Sequence, residues 1–116
     1  MTTILSLNID RGAIVEAPFK FTDSDESKMR PVLVISRSCE LPGVNQFVAA
    51  MITSAKKSNW PLDVEIENWS TNGLTKPCRV RMKLSTVDER AVTRRLGKMD
   101  DVTMDAISQN LTTLLI

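Results

Sequence analysis

At 116 residues the chain has the length of one domain, and 42% apolar with 25% charged residues is ordinary globular composition. The absence of histidine removes the commonest metal ligand and the commonest general base, so any catalysis must use Arg, Lys, carboxylates or hydroxyls. No apolar run approaches the ~20 residues of a membrane span, and net charge is only +1 although eight bases and two acids lie between Lys76 and Lys98.

Such a basic stretch suits a polyanion, but a solvated face balanced by acids of the same fold is the favoured reading. Cys39 and Cys78 form no CxxC pair and no disulfide framework. Met1 to Asp10 lacks the basic start and apolar stretch of a signal peptide, so a cytoplasmic protein is expected.

In chain order, Gly12-Ala13-Ile14-Val15 opens a first strand that ends near Pro18, and the polar segment Phe19 to Met29 reads as an exposed loop. Arg30-Pro31-Val32-Leu33-Val34-Ile35-Ser36 follows. Its four consecutive apolar residues predict a strand buried on both faces, with Pro31 at its start because it has no N–H to give. Glu40 to Asn45 is a turn, Phe47 to Thr53 a second buried strand, and Ser54 to Trp60 a loop. Leu62 to Glu67 alternates, with Asp63, Glu65 and Glu67 on the outer side. Asn72-Gly73 signals a turn. Cys78 to Leu84 alternates too, with Arg79, Arg81 and Lys83 outward. If the acidic and basic strands are neighbours, their charges form cross-strand ion pairs. If they are not, the three bases are a candidate phosphate rail. Finally Met104, Ile107, Leu111, Leu114 and Leu115 share one helical face, with Asp100 or Asp101 as N-cap. About five strands followed by one helix predict a small barrel or sandwich.

Standard nuclease signatures are missing. Glu26-Ser27-Lys28 has the Glu-x-Lys form of metal-dependent nucleases but no strand to hold a metal, and Asp63, Glu65 and Glu67 have no lysine at the required spacing. No cofactor or metal site is expected.

Read in order, the pieces resemble a known family. They are Gly12-Ala13-Ile14-Val15 running into Ala17-Pro18-Phe19, the Arg30-Pro31 strand, the strand ending Ile52-Thr53-Ser54, and Gly73-Leu74-Thr75-Lys76-Pro77. Thr86-Val87-Asp88, Arg95-Leu96-Gly97-Lys98-Met99 and the leucine-rich helix follow. From about Gly12 to Ile116 the chain is similar to the MazF/PemK toxin endoribonucleases. The resemblance implies a mainly β, SH3-like small barrel with a C-terminal helix, spanning residues 1–116 as one domain. It also implies a homodimer, metal-independent cleavage of single-stranded RNA, neutralisation by a cognate antitoxin, and contact with operator DNA only through that antitoxin.

Carried over residue by residue, Arg30 matches the family's catalytic arginine and Thr53 its active-site threonine. Ser54 matches the hydroxyl beside that threonine, and Asp25 an acid in the loop before Arg30. Lys28, Lys56, Arg79, Arg81 and Lys83 are candidate RNA contacts. Met82 and Lys83 stand where some relatives place an aspartate, so the general base is open between Asp25 and Glu26. Arginine is a poor base, since its pKa exceeds ~12. Arg30 therefore suits phosphate stabilisation, for which a guanidinium offers a planar fork of donors. Trp60 and Trp69, which flank the acidic strand, are unassigned between base stacking and packing. A CcdB-type gyrase poison is a competing reading. It is disfavoured because no tryptophan follows Trp69. A barrel that only binds a partner is the other.

Overall fold

Apolar residues at consecutive positions build both faces of one sheet. In the computed structural model, which describes residues 9–20, 27–36, 45–56 and 59–116, the strands are β1 (Ala13–Lys20), β2 (Ser27–Val34), β3 (Gln46–Ser54), β4 (Val64–Ile66), β5 (Cys78–Asp88) and β6 (Arg94–Lys98). Helix α1 (Asp101–Leu115) closes the chain. All pairings are antiparallel, in the order β4-β5-β3-β2-β1-β6. Val15, Ala17, Val32, Val34, Ala49 and Met51 pack on one face. Ile14, Leu33, Ala50, Ile52 and Val80 pack on the other, beneath Met99 and Ile107. Neighbours such as Ile14/Val15 and Val32/Leu33 thus serve opposite faces, which is why their segments read as unbroken apolar runs. Two register shifts bend the sheet, one between Ala50 and Met51 against β5 and one between Ile14 and Val15 against β6.

The helix lies where its periodicity placed it. Ile107 is fully buried, Met104 and Leu111 pack beside it, and the later Leu114 and Leu115 are exposed. Full burial of an isoleucine stabilises by roughly 1.5–3 kcal/mol. Asp100 is the N-cap, accepting the Thr103 N–H at 3.0 Å and the Thr103 hydroxyl at 2.9 Å. Asn72, itself buried, donates its Nδ2 to Asp100 at 2.8 Å and so ties the Asn72-Gly73 turn to the helix start. Burial pushes the Asp100 carboxyl up, and the bonds from Asn72 and Thr103 together outweigh it and hold the group below its ordinary value. The Asn72-Gly73 turn lies directly against Leu96-Gly97. A Cβ on Gly73, whose φ is +97°, would stand 2.1 Å from the Leu96 carbonyl oxygen. One on Gly97 would stand 2.0 Å from that of Asn72. Only glycine permits that approach.

The structure departs from the expectations in four places. Among the described residues there are six strands rather than about five. β6 was missed because Arg94-Arg95-Leu96-Gly97-Lys98 shows no alternation and pairs only along an edge of the sheet. The expected loop from Phe19 to Met29 is shorter, because Phe19 continues β1, buried, and Lys28 pairs with it on β2. Residues 21–26 lie outside the description, as do residues 40–44 of the expected turn. β4 covers only Val64 to Ile66, and Asp63 turns inward instead of outward. Cys78 is a buried thiol, pushed up in pKa by that burial, and its Sγ donates to the Lys76 carbonyl at 3.2 Å. Cys39 lies outside the described residues.

Candidate active site

Arg30 stands on β2 opposite Ala17 of β1. Two positions along β2, Val32 pairs with Met51 of β3, and Thr53 lies the same two positions beyond Met51. Side chains alternate along a strand, so Arg30 and Thr53 share one face of adjacent strands. Thr53 pairs in turn with Arg79 of β5, and Arg79 with Glu65 of β4. The row Ala17, Arg30, Thr53, Arg79, Glu65 therefore crosses the sheet at one end of the first apolar cluster. Both Arg30 and Thr53 are half-buried, and the Nε of Arg30 is enclosed. Lys28 shares Arg30's face two positions towards the hairpin tip and is exposed.

Arg79 and Arg81 are not the exposed rail that their alternation allowed. Strands β4 and β5 are neighbours, and each arginine is 7% exposed. Arg81 grips Asp63 bidentately, Nε to Oδ1 at 3.2 Å and Nη2 to Oδ2 at 3.0 Å. Arg79 donates to Asn59 Oδ1 at 2.5 Å and to the Ala55 carbonyl at 2.7 Å, and pairs with Glu65 at 2.8 Å. Their donors hold the β3–β4 connection in place. Two more bases of that stretch are engaged by acids. Arg90 pairs with Asp88, holding that carboxyl down to about 2, and Arg94 pairs with Glu16. Acids of the same fold thus balance much of the basic run.

That connection carries a tight turn, Trp60-Pro61-Leu62-Asp63. The Asp63 N–H donates to the Trp60 carbonyl at 3.1 Å, and Asp63 Oδ2 accepts the Trp60 N–H at 3.0 Å. Pro61 at the second position and Leu62 at φ +67° form a type II arrangement in which the third residue is normally glycine. Trp60 stands on this turn with the Lys83 ammonium 4.4 Å and the Arg81 guanidinium 5.5 Å from its ring centroid. Lys83 reaches it from the bulge between Arg81 and Leu84. No sequence signal separated Trp60 from Trp69. The structure does, because Trp69 packs against the second apolar cluster. The inward carboxylate of Asp63 was hidden by an alternation that breaks at Leu62.

The other candidates are placed as follows. Ser54 pairs with Cys78, so its side chain lies on the face opposite Thr53, and its Oγ accepts the Lys56 N–H at 3.3 Å. The two hydroxyls are not side by side, because adjacent strand residues point to opposite faces. Lys56 is exposed just beyond β3. Asp25, Glu26 and Lys57 lie outside the described residues. Among the described residues no three His, Cys, Asp or Glu side chains are grouped to hold a metal, and no helix is long and apolar enough to cross a membrane. A cleft of about 310 Å³ between β4 and the start of α1 is lined by Glu65, Glu67 and Asp100, a composition unsuited to a polyanion.

The model of the PemK-like, MazF-like toxins of type II toxin–antitoxin systems matches residues 10–115, which takes in every strand and the helix. The chain belongs to this family. No curated protein sequence matches it. Among solved structures, a mycobacterial endoribonuclease in complex with its cognate antitoxin superposes with a TM-score of 0.71 at 20% identity, covering 91% of this chain and 93% of that one. The Mycobacterium tuberculosis toxin MazF-mt6 gives 0.68 at 22% identity, over 87% and 93%. MazF in a MazE–MazF structure from Deinococcus radiodurans gives 0.69 at 20% identity, over 91% and 94%. The mainly β MazF fold, a curled six-stranded sheet with a C-terminal helix, is therefore shared across its length. The Arg30-Pro31 strand and the strand end Thr53-Ser54 are the segments that the β2–β3 register brings together.

Proposed function

We propose that this toxin-family member is a metal-independent endoribonuclease that cleaves single-stranded RNA at specific sites, with Arg30 and Thr53 as its central pair. The observation that carries the proposal is their placement on one face of adjacent strands, at one end of the sheet's first cluster. Superposition on a mycobacterial endoribonuclease and on the toxin MazF-mt6 supports the same reading.

In this reaction the RNA's own 2′-oxygen attacks the neighbouring phosphorus and loses its proton to a base. The bond to the 5′-oxygen breaks, and that oxygen takes up a proton. The products are a 2′,3′-cyclic phosphate and a 5′-hydroxyl. Negative charge on the non-bridging oxygens peaks at the five-coordinate stage. The guanidinium of Arg30 supplies fixed positive charge and a fork of donors to those oxygens. The Thr53 hydroxyl adds a donor already oriented by its strand, and such preorganisation favours the transition state over the ground state. The base is Asp25 or Glu26, in the segment preceding β2. Lys28, Lys56 and Lys83 contact flanking phosphates, while Arg79 and Arg81 hold the adjoining turn. The protein acts as a single cytoplasmic domain in a homodimer whose interface extends the RNA groove, and a cognate antitoxin neutralises it and mediates any contact with operator DNA.

Incubation with a long single-stranded RNA in EDTA, followed by mapping of fragment ends, tests the proposal. Wild type should cut at discrete sites. Arg30→Ala should cut at least about 10²–10³-fold more slowly. Equal cutting by both, or none by a folded wild type, overturns it.

A further inference from the structure

The loop between β3 and β4 presents an indole in a manner that packing does not explain. Trp60 is 45% exposed, although it is one of only two tryptophans in the chain. The other, Trp69, packs against the core beside the helix. An exposed loop tryptophan is ordinarily mobile and of little consequence, but Trp60 is held in place. Its turn is closed by two hydrogen bonds to Asp63, and Asp63 is fixed by the bidentate grip of buried Arg81. Arg79 holds the same segment through Asn59 and the Ala55 carbonyl. Leu62 is kept at φ +67°, where a side chain costs roughly 1–2 kcal/mol. Buried charge and backbone strain are thus both committed to the posture of a turn whose most conspicuous side chain faces solvent. Strain maintained by its surroundings is concentrated at functional positions.

The location gives the ring a task. Arg79 is the cross-strand neighbour of Thr53, and Arg81 lies two positions further along the same strand, with its guanidinium beside the ring. Lys83 brings an ammonium to the indole from a bulge in β5. Both cations come from that strand, and with both in place nearly half of the tryptophan is still open to solvent. An aromatic plane next to a cation, at the edge of a phosphate-handling face, is the combination that binds single-stranded nucleic acid. The base stacks on the ring, and the cation meets the adjacent phosphate.

We infer that Trp60 is a nucleobase-stacking platform next to the Arg30–Thr53 pair, with Lys83 contacting the phosphate of the stacked nucleotide. The inference rests on the ribonuclease reading for its choice of RNA as ligand, but it is tested through binding rather than cleavage.

The test uses the full chain carrying Trp69→Phe, so that Trp60 is the sole indole. The probe is a random-sequence 2′-O-methyl 12-mer, which lacks the attacking hydroxyl and offers a π face at every position. A matched abasic 12-mer carries the same charge without bases. The base-bearing oligonucleotide should quench Trp60 fluorescence, and the abasic one should not. In the wild-type background Trp60→Ala should weaken binding of the base-bearing probe at least about fivefold, and Trp60→Phe should retain most of it. Trp60→Ala leaves the turn's backbone bonds to Asp63 in place, and a circular dichroism melt confirms folding. Three results would overturn the inference: equal quenching by both probes, unchanged binding by Trp60→Ala, or loss of dimerisation with RNA affinity intact. The last would make the tryptophan part of a protein interface. Quenching and weakened binding without any RNA cleavage would leave the platform standing and remove only the ribonuclease reading.

Discussion

Replacing Asp63 by alanine isolates the charge network under the β3–β4 turn. Asp63 is only 10% exposed in its side chain, and those of Arg79 and Arg81 are 8% and 9% exposed. Such a pair lies outside the regime of surface ion pairs, which contribute about 0–1 kcal/mol. The substitution takes the bidentate carboxylate from Arg81, leaves its guanidinium in a poorly hydrated place, and frees the Trp60 N–H from its acceptor. Arg79 keeps Glu65, Asn59 and the Ala55 carbonyl, so the cost falls mainly on Arg81. Removing one partner of a buried pair costs about 3–5 kcal/mol. For a chain of this size each kcal/mol lowers Tm by about 4 °C, so Asp63→Ala should melt roughly 12–20 °C below wild type. Urea titration checks the magnitude, provided the denaturant slope is unchanged. The double variant Asp63→Ala, Arg81→Met should recover most of the loss, because the buried charge is gone and an apolar side chain takes its place. A loss below about 1 kcal/mol for the single variant, or no recovery in the double one, would refute the claim that this network fixes the turn.

Two further outcomes are expected. Thr53→Val keeps shape and strand propensity and removes only the hydroxyl, so it should melt near wild type while RNA cleavage, followed on a fluorogenic oligonucleotide, falls about 10²–10³-fold. Asp100→Ala should cost about 1 kcal/mol at neutral pH through loss of the cap. Asp100 titrates below its ordinary value in the folded state, so the stabilisation specific to its charge is present above the unfolded pKa. It is lost as pH falls through the folded one. Urea melts of wild type and variant should therefore converge as pH falls through and below the ordinary carboxylate range, and a difference that grows on acidification would contradict this assignment.

The parts of the fold that were legible in the sequence are those in which neighbouring residues agree. Val32-Leu33-Val34 and Phe47 to Ile52 read as strands buried on both faces, and the spacing of Met104, Ile107 and Leu111 as one side of a helix. β6 escaped because an edge strand needs no apolar face of its own and borrows its order from β1. The arms of the β1–β2 hairpin escaped because their polar residues read as loop, while the buried Phe19 was a single apolar position among charges. For the site, residue type and family resemblance singled out Arg30 and Thr53. Their juxtaposition needed the β2–β3 register, which no local pattern contains. The inward turn of Asp63 needed one left-handed residue, Leu62, and nothing in a leucine announces that conformation.

Arg30, Arg79 and Arg81 lie on one face of this sheet, and composition treats them alike. Register sorts them. β4 runs beside β5 and delivers Asp63 and Glu65 to Arg81 and Arg79, so their charge is spent within the fold on holding a turn. Arg30 lies instead between β1 and β3, whose matching positions carry a small apolar residue, Ala17, and a hydroxyl, Thr53. Four of the eight bases between Lys76 and Lys98 (Arg79, Arg81, Arg90 and Arg94) are met by acids of the same fold. Alternation put Arg79 and Arg81 on the correct face, but only the identity of the neighbouring strand decided whether that face was spoken for. The arginines neutralised in this way hold the turn that places Trp60 over Arg81 and Lys83 of β5. Charge committed within the fold thus still fixes the posture of an exposed side chain.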